Sequence, residues 1–309
     1  MAELLTSWGP ASTRRRAELR SAEGFPAAVR QTAADLVRLH DGKRLLNLII
    51  NDRGRFFVAL LALDLHFRRH DEGIGLTPGR LKALCVEQGI CSATRTGALL
   101  ALMKFGGYLE PAPSTADRRR RELVPTAALI AAQRDRWRCH FSAAAPLLPD
   151  AERALEVLDQ PEFVHGVVRL MSAYFRAGFR FTDYVPALRL FADRNGGMFV
   201  IFAMLAAANE GDLGHQTPIG ISISGLARSV GSSRAHIIKL LKDAECEGLV
   251  ERPSLGSIVL MPPLVHDLYE FFALNYLLLT HLGKIARDHG GAAGRSSAGA
   301  YPLTPGRAS

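Results

Sequence analysis

Residues 221–260 read ISISGLARSVGSSRAHIIKLLKDAECEGLVERPSLGSIVL, and their pattern decides how the chain around them is organised. Leu226 and Val230 give a short first helix its apolar side, Gly231 and Ser232 supply a tight turn, and Ser233 stands where the next helix needs a cap. In that second helix Ile237, Leu240, Leu241 and Ala244 recur at i, i+3, i+4 and i+7, a single apolar stripe. Arg234, His236, Lys239 and Lys242 are left for the opposite face. Gly248 stops the helix, Leu249 and Val250 begin a strand, residues 253–256 turn it, and residues 258–260 return. The expectation is a helix, a turn, a helix and a β-hairpin.

The same pattern occurs earlier in the chain. LLALMKFGGYLE at 99–110 aligns with LLKDAECEGLVE at 240–251 at a constant offset, Leu99 on Leu240, Leu100 on Leu241, Gly107 on Gly248 and Glu110 on Glu251. Upstream, Thr77 and Pro78 open a helix carrying Leu81, Leu84 and Cys85, and Ser92 caps one whose Thr96, Leu99, Leu100 and Met103 form the stripe. The turn between them is expected to be a few residues longer than its counterpart. The hairpin, PAPSTADRRRRELVP, ends in Arg118, Arg119, Arg120 and Arg121, a basic tip suited to phosphate or minor-groove contact. Each copy has the order of a winged helix-turn-helix, whose second helix normally lies in a DNA major groove.

Around these units the chain reads as helices. Residues 25–50 carry Val29, Ala33, Leu36 and Val37, then Leu45, Leu46, Leu48 and Ile49 beyond a break at Asp41-Gly42. Residues 55–69 (Phe56, Ala59, Leu60, Leu63, Phe67) correspond to residues 197–209 in the second half. PLLPD at 146–150 is a boundary candidate. Between 163 and 191, Tyr174, Phe175, Phe179, Phe181 and Tyr184 alternate with Arg169, Arg176, Arg180 and Arg189. That composition suits an interdomain core more often than a pocket for an aromatic or anionic effector. The predicted architecture is mainly α with short β-wings: a tandem winged helix-turn-helix with an approximate internal two-fold. Residues 1–24 form a mobile N-terminus, 25–145 the first half, 146–289 the second, and 290–309 a disordered tail.

Composition narrows the partners. A formal charge of +8 favours a polyanion, and 48% hydrophobic content over 309 residues allows sizeable cores. Cys85, Cys91, Cys139 and Cys246 lack metal-type spacing, and no secretory signal opens the chain, so reduced thiols in the cytoplasm are expected. Cys85 and Cys91 flank the first turn, where plain core packing is favoured over redox sensing. Residues 263–285 are apolar but interrupted by His266, Asp267, Glu270, Asn275 and His281, as in a buried packing helix and not a membrane span. His66 and His70 lie four apart near Asp64 and Asp71, yet an exposed polar face explains them better than a metal. With no Gly-rich phosphate loop and no nucleophile elbow, no catalysis, cofactor or metal is expected.

LTPGRLKALC at 76–85, SATRTGALLALMKFGGYLE at 92–110, the basic hairpin, and residues 196–287 together resemble the MarR family of bacterial transcription regulators over a little more than half the chain. Members usually carry one winged helix and act as dimers, whereas this chain carries two, which leaves a monomeric pseudo-dimer or a homodimer. The resemblance implies a regulator of transcription, a repressor for preference, bound to double-stranded DNA on the nucleoid, with a small-molecule effector as a further partner. It assigns base reading to Ser92, Thr94 and Arg95 in the first unit and to Ser233, Arg234, His236 and Lys239 in the second. Wing contacts fall to Arg118, Arg119, Arg120 and Arg121 and, more weakly, to Arg252. Two such helices on one scaffold would meet successive major grooves about 34 Å apart. Plasmid-type replication initiators also use tandem winged helices, and winged helices also serve as protein-interaction scaffolds, so both stand as alternatives.

Overall fold

In the computed structural model, which describes residues 12–50, 52–113, 121–209, 213, 216–254 and 256–293, the chain is mainly helical with two small antiparallel sheets. The first part runs α1 (Thr13–Arg20), α2 (Phe25–His40), α3 (Arg44–Ile50), α4 (Arg53–Phe67), a single turn α5 (Arg69–Glu72), α6 (Pro78–Glu87), α7 (Ala93–Phe105), the hairpin β1 (Leu109–Pro111) and β2 (Leu123–Pro125), and α8 (Ala127–Ala144). The second runs α9 (Pro149–Val157), α10 (Pro161–Arg176), two 3₁₀ turns (Phe181–Asp183 and Pro186–Leu188), α11 (Arg189–Ala192), α12 (Gly197–Ala207), β3 (Ile219–Gly220), α13 (Ile223–Ser229), α14 (Arg234–Cys246), β4 (Val250–Glu251), β5 (Ser257–Leu260) and the long α15 (Pro262–Ala293).

The two stretches aligned by sequence take the same local course. Ser92 Oγ accepts the Arg95 backbone N–H at 3.2 Å and Ser233 Oγ that of His236 at 3.1 Å, so each serine satisfies a donor that the first helical turn leaves open. Thr96, Leu99, Leu100 and Met103 are buried beneath α7, as are Ile237, Leu240, Leu241 and Ala244 beneath α14. Burying each large side chain in these stripes contributes about 1.5–3 kcal/mol. Both helices end on a left-handed glycine, Gly107 at φ 72° and Gly248 at φ 68°, where a Cβ would be strained. The following residue reaches back in each case, Tyr108 N–H to Met103 C=O and Leu249 N–H to Ala244 C=O.

Sheet topology is matched as well. Leu76 bridges β2, which pairs with β1, while β3 pairs with β5, which pairs with β4. Two residues, Ile90 and Cys91, separate the left-handed Gly89 from its capping serine, against Ser232 alone after Gly231. The first turn is therefore one residue longer, not a few, because Gln88 and Gly89 close α6 later than its pattern suggests.

The flanking helices pack reciprocally across the chain. α2 covers α12 and α8, while α10 covers α4 and α15, and α8 and α15 touch each other. His40 of α2 meets the edge of Phe199 of α12 at 4.4 Å between ring centres, and Phe57 of α4 stacks on Phe175 of α10 at 3.9 Å. Gly166 allows α10 close to α15, since a Cβ there would lie 2.8 Å from Ala286 Cβ. The buried core runs through the 146–150 boundary candidate without a break, with Ala144 and Ala151 both covered.

Part of the stretch expected to be mobile is ordered. Residues 13–20 form α1, which packs on α15 through Leu19 and a buried Arg16 paired with Glu270, an anchor between residues 254 positions apart. Residues 1–11 and 294–309 lie outside the described residues. α15 is a packing helix that buries Leu264, Leu268, Phe272, Leu274, Leu278 and Leu282, and no single described helix is long and apolar enough to cross a membrane.

Candidate nucleic-acid interface

α14 buries one face and presents the other to solvent with its cations available. Arg234, Lys239 and Lys242 are exposed there, and Arg228 joins them from the last turn of α13. None of the four makes an ion pair among the described residues, whereas nearby acids are engaged: Asp243 by Arg194 at 3.1 Å and Glu245 by Arg252. Such a face attracts phosphate and offers donors to base edges. Arg228 and Lys242 were not among the expected site residues. Only the packing of α13 against α14 brings Arg228 to this surface.

Two expected readers do something else. His236 Nε2 lies 2.9 Å from the Asn195 carbonyl oxygen, and because a carbonyl only accepts, Nε2 carries the proton and donates. At the equivalent position of α7, Arg95 Nη2 is 3.0 Å from Asp52 Oδ2, and Asp52 also caps α4 by accepting the Arg55 N–H at 2.8 Å. Each side chain thus braces its helix against the segment that opens the preceding long helix, α12 or α4. Ser92 and Ser233 are occupied as caps, and Thr94 is exposed on the outer side of α7.

Gly97, a weak helix former, has its reason in a neighbour: a Cβ there would stand 3.2 Å from Lys82 Cε, so the glycine lets the Lys82 side chain lie across α7. Lys82 is a cation that the pattern of α7 alone does not reveal. The remaining outward surface of α7 carries Ala98, Ala101 and the cation Lys104, all exposed, and Phe105, which is 81% exposed.

Of the basic run, Arg121 is exposed at the start of the returning strand, and Arg118, Arg119 and Arg120 lie outside the described residues. The base of that hairpin is fixed by Glu122, which is buried, accepts the Gly75 N–H at 3.1 Å and lies 3.5 Å from Arg69. Arg252, the expected wing contact of the second unit, is held by Glu245, whose carboxyl it keeps below the usual carboxylate range by hydrogen bonding. Its charge is neutralised inside the unit.

Of the side chains weighed as metal ligands, Asp64 is buried with Arg68 Nε 3.0 Å away and Asp71 pairs with Arg169, and among the described residues no three metal-type side chains converge. Cys85 is buried, and burial pushes its thiol up to about 11, while Cys91 Sγ lies 3.2 Å from Thr96 Oγ1. The chain matches no protein-family model, no curated protein and no solved structure.

Proposed function

We propose that this chain is a tandem winged-helix protein, its halves related by an approximate two-fold, that binds double-stranded DNA by sequence and regulates transcription, repressing by occupying promoter DNA. The observation that carries this reading is the outward face of α13 and α14, where Arg228, Arg234, Lys239 and Lys242 stand exposed without carboxylate partners among the described residues. The repeated course of α6–α7–β1–β2 and α13–α14–β4–β5 and the reciprocal packing of α2, α10, α8 and α15 support the tandem arrangement.

A salt titration of duplex binding tests it. Several phosphate contacts make log affinity fall steeply with log salt, and Lys242→Ala, on the same face but outside the expected base readers, is expected to weaken binding to all sequences alike and to reduce the slope by about 1. Absence of duplex binding at low salt overturns the proposal. Footprints over a promoter would support a regulator, and repeated sites in an origin would support a replication initiator. The exposure of Phe105 at the end of α7 favours protein interaction as the reading from a different class. Under that reading a partner protein, and no duplex, would protect α7.

A further inference from the structure

The two helix-turn-helix units are close copies in backbone and opposites in charge. Gly89 N–H reaches the Val86 carbonyl oxygen at 3.1 Å, and Gly231 N–H reaches that of Arg228 at 3.2 Å, so Val86 and Arg228 hold the same place on α6 and α13. The alignment that sets Leu99 on Leu240 puts Ala93, Ala98 and Ala101 of α7 on Arg234, Lys239 and Lys242 of α14. All of these outward residues are exposed. Each cation on the outer face of α13 and α14 therefore has an uncharged counterpart on α6 and α7, and Glu87 adds a carboxylate where α13 has Ser229.

The cations of the first unit stand at its flanks. Lys82 comes from α6 and crosses α7 at Gly97, Lys104 lies in the last turn of α7, and Arg121 belongs to the hairpin. The opening turn of α7 has Arg95, which Asp52 holds at 3.0 Å. A recognition helix reads bases mainly with its N-terminal part, and a guanine edge is read by arginine or lysine donors. α14 presents such donors at Arg234 and Lys239, unpaired among the described residues, where α7 presents alanines and the short hydroxyl of Thr94. Cations at the flanks suit phosphates, which carry no sequence information. The packing of α2 on α12 and of α10 on α4 holds both units on one body, so a duplex meets them together.

We propose that the partner is a duplex without dyad symmetry, which a single chain occupies in one orientation. A guanine-bearing segment lies under α14, read by Arg234 and Lys239, and a segment of unspecified sequence lies under α7, held through its phosphates. This rests on the reading of the chain as a DNA-binding protein. It departs from what two like winged helices related by a two-fold would select, an inverted repeat with equal halves.

Selection by the full chain from duplexes with a randomised core of about two helical turns tests it. Recovered sites should carry one guanine-bearing segment, and a hydroxyl-radical footprint should extend about one further turn over a flank with no base preference. Native mass spectrometry should show one chain on each duplex. The double variant Arg234→Ala with Lys239→Ala should lose about tenfold or more of the preference for the guanine segment. Ala93→Arg with Ala98→Lys, which gives α7 the donors of α14 at exposed positions, should select a second guanine-bearing segment, inverted and about one turn from the first. Both variants should melt as the parent does, since they alter exposed side chains. The proposal fails, with DNA binding intact, if the parent selects an inverted repeat with equal halves, if two chains share the site, or if the α7 variant selects the parent's site. Retention of no duplex at low salt overturns the reading on which it rests.

Discussion

At the scale of single residues, His40 and His140 set an acid limit on the fold. Both are 2% exposed, and burial, followed by the nearby Arg136 charge, holds each down to about 3 against an ordinary 6.5. The unfolded chain binds these two protons below about pH 6.5 and the folded chain does not, so their contribution to stability is intact above that pH and is lost as pH falls towards 3. Asp64 has the opposite sign. Burial raises it to about 6, so its contribution is full below the usual carboxylate range and is lost as pH rises through 6. Between about pH 4 and 6 two histidines outweigh one carboxylate, and stability is expected to fall by about 1.4 kcal/mol per pH unit on acidification. Urea unfolding at several pH values checks this. His140→Phe should flatten the dependence in that window, and an unchanged slope in this variant would contradict the assignment.

At the scale of elements, α7 and α14 share a cap, a buried stripe and a glycine stop, yet their outward faces differ. α14 with α13 displays four cations, while α7 displays Thr94, two alanines, a single free lysine, Lys104, and Phe105 beside a basic hairpin that includes Arg121. The expected division of labour is that the second unit selects sequence and the first holds backbone. Arg234→Ala should therefore change which bases are preferred, costing about 1–3 kcal/mol of discrimination at the position it reads. Arg121→Ala should instead lower affinity for all duplexes by a similar factor. Selection from random duplexes with each variant measures both, and the reverse outcome would exchange the two roles. The stripes and caps of these helices were legible because helical periodicity and capping act within a few residues. The bracing by Arg95 and His236 was not, since their partners lie 43 and 41 residues earlier in the chain.

At the scale of the whole molecule, each half lends a helix to the other. α2 packs along α12 and sets Phe25 against Tyr269 and Tyr276 of α15, both from the second half, and α10 has its seat on α4. The chain is expected to unfold in one cooperative transition, and a fragment ending at residue 145 should show no cooperative melt of its own. Circular dichroism of the fragment and of the intact chain checks this, with an independent sharp transition in the fragment as the contrary result.

The sequence by itself determined the mainly helical class, the two short hairpins, the capping serines and the buried stripes of α7 and α14, because these follow from the spacing of apolar, capping and glycine residues along short stretches. Only the tertiary structure decided that α1 is anchored, that Lys82 and Arg228 reach the candidate interface, and that Arg252 is neutralised. Each of these depends on which distant side chain arrives beside a given residue. Such meetings are settled when helices from opposite halves of the chain bury their faces together, and nothing in local spacing specifies them.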